Sequence, residues 1–517
     1  MIGTPLFLIL LLAAEDKPIP KFPLGKETTY ITEPLDEEGY IDYQSGLNDR
    51  LGKGITREKN ANVLIWKALG PRPEGGERMP VEFFKRLEIE EPPDQGDYFI
   101  GLGTYMKHNL KLDPSEIEVG FDQQSRAAER PWAAKDHPHI AAWLKANEKP
   151  LAMVFEATKR PAYFNPLVSR RSKTAPGRLT DALLPSVQKC RELANALAAR
   201  AMLRVGEGKG DEAWQDLLAC HRLGRLIARG ATFIESLVGI AINQIASNAD
   251  LAYLERARLT ARQAQDCLKD LKGLAPMPVF ADKIDLGERF MFLDSTQLIR
   301  RQGLAALEGL SGGPGPKKTD PRAEKAMAGI DWEPALRSGN RWYDRMAAAG
   351  RIKDRAGREK QFDKIDQDLK EIRKDAAGNA TLAKLLLGKD APKDTGKAIS
   401  DILIGLLLPA TRKVQSAFDR TDQVQLNLHL AFALAAYHSD KGNYPAKLED
   451  LAPQYLATIP GDLFSGKALI YRPSEKGYLF YSVGVNGKDE EGRWFDDDPP
   501  GDDVGVRMPL PERKLKK

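Results

Sequence analysis

The chain is poor in the residues that most often carry chemistry. Its 517 residues include six histidines and three cysteines. Cys190, Cys220 and Cys267 fall in no Cys-x-x-Cys pair, which excludes zinc-ribbon and thioredoxin-type chemistry. No phosphate loop, dinucleotide glycine fingerprint, His-Glu-x-x-His or Gly-x-Ser-x-Gly occurs, so the common nucleotide, zinc-protease and serine-hydrolase classes have no motif here. Charge of one sign is missing too: 77 Lys and Arg face 73 Asp and Glu, a net +4. A nucleic-acid binder needs a concentrated basic face, and the only basic cluster is the tail from Arg513 to Lys517. Long apolar runs are also absent. The first, Leu6 to Ala14, is far shorter than the roughly 20 residues that span a bilayer.

That short run says something positive. It ends in Ala13-Ala14 and is followed by polar, proline-containing sequence, the pattern of a cleaved export signal over residues 1–14. Its start lacks Lys and Arg, and a buried N-terminal helix or strand is the alternative. An exported protein, periplasmic or extracellular, is the expectation. With 42% apolar and 29% charged residues, the rest has a soluble globular composition and enough length for two to four domains.

Hydrophobic periodicity predicts a mainly α protein with a multi-helix body. After an extended lead-in, Tyr30–Pro34 and Tyr40–Tyr43 read as short strand or turn pieces. A helix starts from Thr56 as N-cap and stops at Gly70-Pro71; another covers Val81 to Leu87. Helical pieces between Asp113 and Asn147 break at Pro131 and Pro138, closing a mostly helical region over 15–150. In 151–308, Val187, Cys190, Ala194, Leu197 and Ala201 recur at steps of three and four. Gly206–Gly210 breaks that helix, and Asp211 can cap the next. Phe233 to Leu254 is apolar on most sides, as in a buried central helix. Thr260-x-x-Gln263 is a capping box. Residues 187–229 resemble one tetratricopeptide-type hairpin, without a second copy at the spacing of about 34 residues. If the two helices are antiparallel neighbours, Cys190 and Cys220 can pair; otherwise all three cysteines are small buried side chains.

Gly309 to Pro321 reads as a flexible linker (309–322). In 323–398, Trp332, Leu336, Tyr343 and Met346 mark an amphipathic helix. A charged helix with a solvated face runs from Arg355 to Lys374, and a loop covers Gly388 to Gly396. Residues 511–517 form a basic tail.

The final unit, 399–510, carries a family resemblance. Ile399 to Pro409 leads into a long helix ending near Tyr437. Asn443-Tyr-Pro445, Ile459-Pro-Gly-Asp462, a strand at Tyr471-Arg472 and a strand from Tyr478 to Val483 follow. This order resembles the globular domain of type II secretion pseudopilins and related pilin-like proteins. The resemblance implies a small C-terminal α/β unit, one long helix plus a short antiparallel sheet, with Val414, Phe418, Leu426, Leu430 and Leu434 forming the stripe that packs on the sheet. It also implies calcium in the loop after the last strand, with Asp489 and Asp503 as ligands and Asn486 adding an oxygen; a solvated acidic loop is the alternative. The processed leader and unbroken apolar helix of pilins do not precede Ile399, so a folded module fused to a helical body is expected, and not a pilus subunit. Protein partners in the cell envelope, and no transmembrane span in the mature chain, follow from that reading.

No catalytic residue is assigned. His137 and His139 beside Asp136 form the one histidine cluster, and a loop pair of this kind lacks the further ligands a metal needs. The rival to a binding role is a hydrolase assembled around His221, Glu235 and Asn243 in the helical body. A further alternative is that the C-terminal unit only caps the body.

Overall fold

The computed structural model describes residues 18–75, 78–169, 179–182, 184–303, 327–376, 391–408 and 411–511, with Gly177, Ala306 and Lys325. The apolar start at 1–17, the linker at 309–322, Ser172, Pro409 and the tail from 512 onward lie outside the described residues. The fold is mainly helical with one small antiparallel sheet near the C-terminus. Among the described residues no helix is long and apolar enough to cross a membrane.

The first helices are α1 (Tyr43–Gly52), α2 (Ala61–Leu69), α3 (Val81–Arg86), α4 (Leu102–His108), α5 (Pro114–Glu129), α6 (Pro138–Ala146) and α7 (Glu148–Ala157). Tyr43 therefore opens a helix, and not a strand, because Asp42 accepts the Ser45 backbone N–H at 3.0 Å. Only a single bridge, Leu35 to Ile41, survives of the predicted strand pieces. Helix α2 starts later than Thr56 suggested. Asn60 caps it while also accepting the Phe164 N–H and donating to the Phe164 carbonyl, so a tertiary contact 104 residues away sets the start. Gly70 ends it with φ +80°, a conformation glycine adopts without strain.

The body is organised by α8 (Pro185–Gly206), α9 (Gly210–Ala228), α10 (Phe233–Arg256) and α11 (Ala261–Lys272). Capping boxes fix the starts of α5, α10 and α11 through Asp113/Glu116, Thr232/Glu235 and the expected Thr260/Gln263. Asp211 is not a cap: Lys209 holds that position without a side-chain bond, and Asp211 sits in the first turn, where its charge opposes the positive helix end. Helices α8 and α9 form the hairpin, joined by Asp216, which is fully buried and accepts from Arg200 (2.7 and 3.0 Å) and Arg204 (2.7 Å). Helices α9 and α10 cross at glycine. A Cβ on Gly239 would stand 2.5 Å from the Gly224 carbonyl oxygen and 2.6 Å from the Ala228 nitrogen. All three cysteines are free and buried, so no Cys190–Cys220 disulfide forms.

Helices α12 (Phe280–Lys283) and α13 (Arg289–Gln302) flank a π-helical turn at Ile284–Glu288. Then come α14 (Glu333–Gly350), α15 (Arg355–Ala376), α16 (Ala391–Leu407) and the 31-residue α17 (Thr411–Lys441). Residues 391–396 are helical and not loop. Gly396 is suited to its place in α16 because a Cβ there would meet the Asp331 carbonyl oxygen at 2.3 Å. The charged α15 is solvated on one face only: Phe362, Ile365 and Leu369 are buried, while Arg412 of α17 ties Glu359, Asp363 and Asp366 at 2.7–2.8 Å.

Strands β1 (Ile470–Ser474), β2 (Gly477–Ser482) and β3 (Val504–Met508) lie in the order β1-β2-β3, all antiparallel, with Tyr471 opposite Phe480 and Phe480 opposite Val506. Two of these strands were legible in advance; β3 was not. Helix α17 belongs to two cores. Its later half, Leu428 to Ala436, joins α8–α11 and the inner sheet residues Tyr478, Phe480, Val506 and Met508. Its first turns do not pack on the sheet as expected. Val414 and Phe418 enter a second core with α12–α16, the Phe418 ring 5.9 Å from Phe280. The reason is length: at about 1.5 Å per residue, α17 extends well past the sheet.

Candidate functional site

The acidic loop joins β2 to β3; it does not follow the last strand. Five of its carboxylates, Asp489, Glu490, Asp497, Asp502 and Asp503, accept from the loop's own backbone. Asp489 Oδ1 accepts from the Tyr481 hydroxyl and the Glu491 N–H, both at 2.9 Å, and these bonds hold its carboxyl below the usual range. Asp503 Oδ2 accepts from the N–H groups of Gly492 (2.7 Å) and Glu490 (3.1 Å). Asn486 Oδ1 accepts the Lys488 N–H at 2.7 Å, and its amide donates to Glu490. Asp502 completes the closure, pairing with Arg420 and accepting the Asn486 N–H.

One oxygen stands apart. Asp503 is 1% exposed, and its Oδ1 has no hydrogen-bond partner. Burial raises this carboxyl, with Glu490 and Asp489 adding repulsion against the two backbone donors. A hard cation beside Oδ1 would satisfy that orphan and relieve the repulsion. Among the described residues no group of three His, Cys, Asp or Glu side chains is placed to hold a metal ion. Any calcium here therefore leans on backbone oxygen.

The helical body contains a second constellation. His221 Nε2 lies 2.7 Å from Asp250 Oδ2, and its Nδ1 lies 3.3 Å from Asn243 Oδ1. Arg225 donates to Asn243 Oδ1 (2.5 Å), to the Ala275 carbonyl (2.8 Å) and to Gln425 of α17 (2.8 Å). Burial raises the Asp250 carboxyl, with His221 and Arg225 opposing, and lowers Arg225 to about 10. The His–Asp pair is of the kind that orients a general base, but no Ser, Thr or Cys nucleophile bonds to His221 among the described residues. His221 and Asp250 are also both completely buried, so no substrate atom reaches them in this conformation. Glu235 is not part of the group: it is the α10 capping-box carboxylate, bound to Thr232 and Asn165. Sequence reading placed His221 and Asn243 together and missed Asp250, Arg225 and Gln425, whose signal is only a polar residue in an apolar helix face.

Other singled-out residues are structural. Asp136 accepts the Ala133 N–H at 2.9 Å, and His137 rests on the Trp132 ring, 5.5 Å between centroids. Asp462 staples its loop to the sheet by accepting from Ser482 and Ser465 at 2.6 Å and from the Phe464 N–H at 2.8 Å.

Open space lies elsewhere. A hollow of about 250 Å³ sits between α10, α17 and the start of β3, under Trp494 and Phe495. A larger one of about 550 Å³ lies further along, between the ends of α10 and α17 and the end of β3. None of the protein-family models, curated proteins or solved structures compared with the chain matches it.

Proposed function

We propose that the chain is an exported cell-envelope protein with a non-catalytic binding or scaffolding role, in which a helical body presents a pseudopilin-like C-terminal unit to protein partners. The observation that supports this most is the contrast between the two constellations. The residues best suited to catalysis, His221 and Asp250, are sealed, while the sheet and its loops border open grooves. The acidic loop adds a calcium site in this reading, held by Asp503 and Asp489 with an oxygen of Asn486. The metal would supply fixed positive charge that rigidifies the β2–β3 connection.

The test is cross-linking of the tagged full chain in its native host. A defined, stoichiometric envelope protein linked through residues 442–511 is the expected result. Absence of any specific adduct, together with turnover of a substrate by the purified chain, overturns it. A second reading, in which the C-terminal unit chiefly caps the body, draws on the entry of α17 into both cores.

A further inference from the structure

The two hollows share no lining residue but are bordered by the same three elements. Along α10, Gln244, Ser247 and Leu251 border the smaller, and Leu254 and Glu255, with Arg258 just past the helix end, border the larger. These positions recur at helical spacing, so a single face of α10 lines both. Opposite them runs β3, with Val504, Gly505 and Val506 at the first hollow and Met508 at the second. Helix α17 contributes Leu428 to the first and Ala435 to the second. The result is a groove between α10 and β3. Its length is about 12 Å along α10 from Ser247 to Glu255, and about 13 Å along β3.

The wall on the β3 side is a sheet edge. β3 pairs with β2 alone. Beyond that pairing, its ends are tied: Asn427 donates to the Val504 carbonyl at 2.8 Å, and Leu510 N–H donates to Glu255 at 2.9 Å. Between them, Gly505 to Met508 meet no other backbone or side-chain partner among the described residues. An unpaired edge is a template for another strand. The opposite edge of the sheet, β1, carries Pro473, which blunts it; β3 has no proline between Val504 and Met508.

The two ends differ chemically. The first joins Leu251, Val424, Leu428 and Val506 with the rings of Trp494 and Phe495, the latter 61% exposed, and has Gln244, Asn248 and Asp496 among its polar lining. The second carries Arg258 and Lys476, neither of which has a carboxylate partner among the described residues. Its one carboxylate, Glu255, is already engaged by Arg256 and the Leu510 N–H, both at 2.9 Å.

We propose that this groove takes an extended peptide of a protein partner as a fourth strand on β3, with an apolar or aromatic side chain under Trp494 and Phe495 and an acidic side chain against Arg258 and Lys476. The edge supplies main-chain affinity, and the two ends set direction and sequence preference. This rests on the binding role above and names the class of partner.

The test uses the full chain and an array of eight-residue alternating valine–threonine peptides, varied at the third and seventh positions. Selection of an aromatic at one and an acid at the other is expected. The best peptide, N-methylated at alternate residues, should lose binding when the methyls fall on one edge and keep it when they fall on the other. The surface double variant Arg258→Glu/Lys476→Glu should weaken the acidic peptide about tenfold and favour a lysine version. No array peptide binding below about 1 mM, or equal tolerance of N-methylation on both edges, overturns the proposal. Self-association of the chain that the peptide does not disturb, mapping to β3, assigns the edge to a second copy and also overturns it. If Arg258→Glu/Lys476→Glu leaves the envelope cross-link intact, the groove fails while the binding role stands.

Discussion

Replacing His221 by leucine should cost far more than its size suggests. The change keeps side-chain bulk but strips Asp250 Oδ2 of its only hydrogen-bond partner, and Oδ1 already has none. A carboxylate at zero exposure would then have no donor, a situation that typically costs about 3–5 kcal/mol. The reverse change, Asp250→Ala, leaves only an imidazole nitrogen unmatched, for about 1–3 kcal/mol. Removing both partners deletes the problem with the pair, so the double variant should sit near Asp250→Ala and well short of the sum. The expected coupling is then about 3–5 kcal/mol, the cost of His221→Leu alone. An unfolding entropy of about 2.1 cal/mol/K per residue gives roughly 1 kcal/mol/K over a chain of 517 residues melting as a unit. Each kcal/mol is then about 1 °C. Thermal melts followed by circular dichroism should show His221→Leu lower by ~3–5 °C, with the double variant recovering part of that loss. If the effects add within about 0.5 kcal/mol, or His221→Leu melts like the wild type, the pair is not the coupled structural unit described here.

Calcium should raise the melting temperature of the full chain. At a hundredfold excess over its dissociation constant the gain is about 2.7 kcal/mol, or ~3 °C on the scale above. Asp503→Asn should abolish the shift, and no shift at millimolar calcium refutes the site. Glu288 gives a pH signature. Burial raises its carboxyl to about 7, against roughly 4.3 in an unfolded chain, while the Phe233 N–H donates to it at 3.2 Å. Because the folded value is the higher, this group's contribution is complete below about pH 4.3 and is lost as pH rises to 7, by at most about 3 kcal/mol. Glu288→Gln should therefore gain on the wild type in melting temperature between pH 5 and 8; parallel curves refute the assignment.

Where a signal was local, the sequence carried it. The Thr260/Gln263 box, the glycine stop at Gly70 and the alternation of Tyr478, Phe480 and Ser482 all depend on residues within one turn or strand. What was missed depends on distant partners. Asn60 outcompetes Thr56 as a cap because Phe164 adds two bonds to it. Residues 391–396 are helical beside the Asp331 carbonyl, where Gly396 leaves room for it. Strand β3 alternates buried and exposed residues, but with a glycine inside and an acidic stretch before it, five residues are too few to stand out. For the candidate sites, Asp489, Asp503 and Asn486 do share one loop, as their proximity in sequence suggests. Their orientation toward backbone donors is a property of the folded turn, just as the burial of His221 is a property of the packed helices.

Helix α17 also has a mechanical consequence. At ~1.5 Å per residue its 31 residues make a rod of about 46 Å, with its far end set among α12–α16 and its near end under the sheet. Tension on β3 passes through the bond from Leu510 to Glu255 into α10, and through the packing of the strands into that rod. Because the rod is set in both cores, a load on the sheet is coupled to the Phe418–Phe280 contact at its other end.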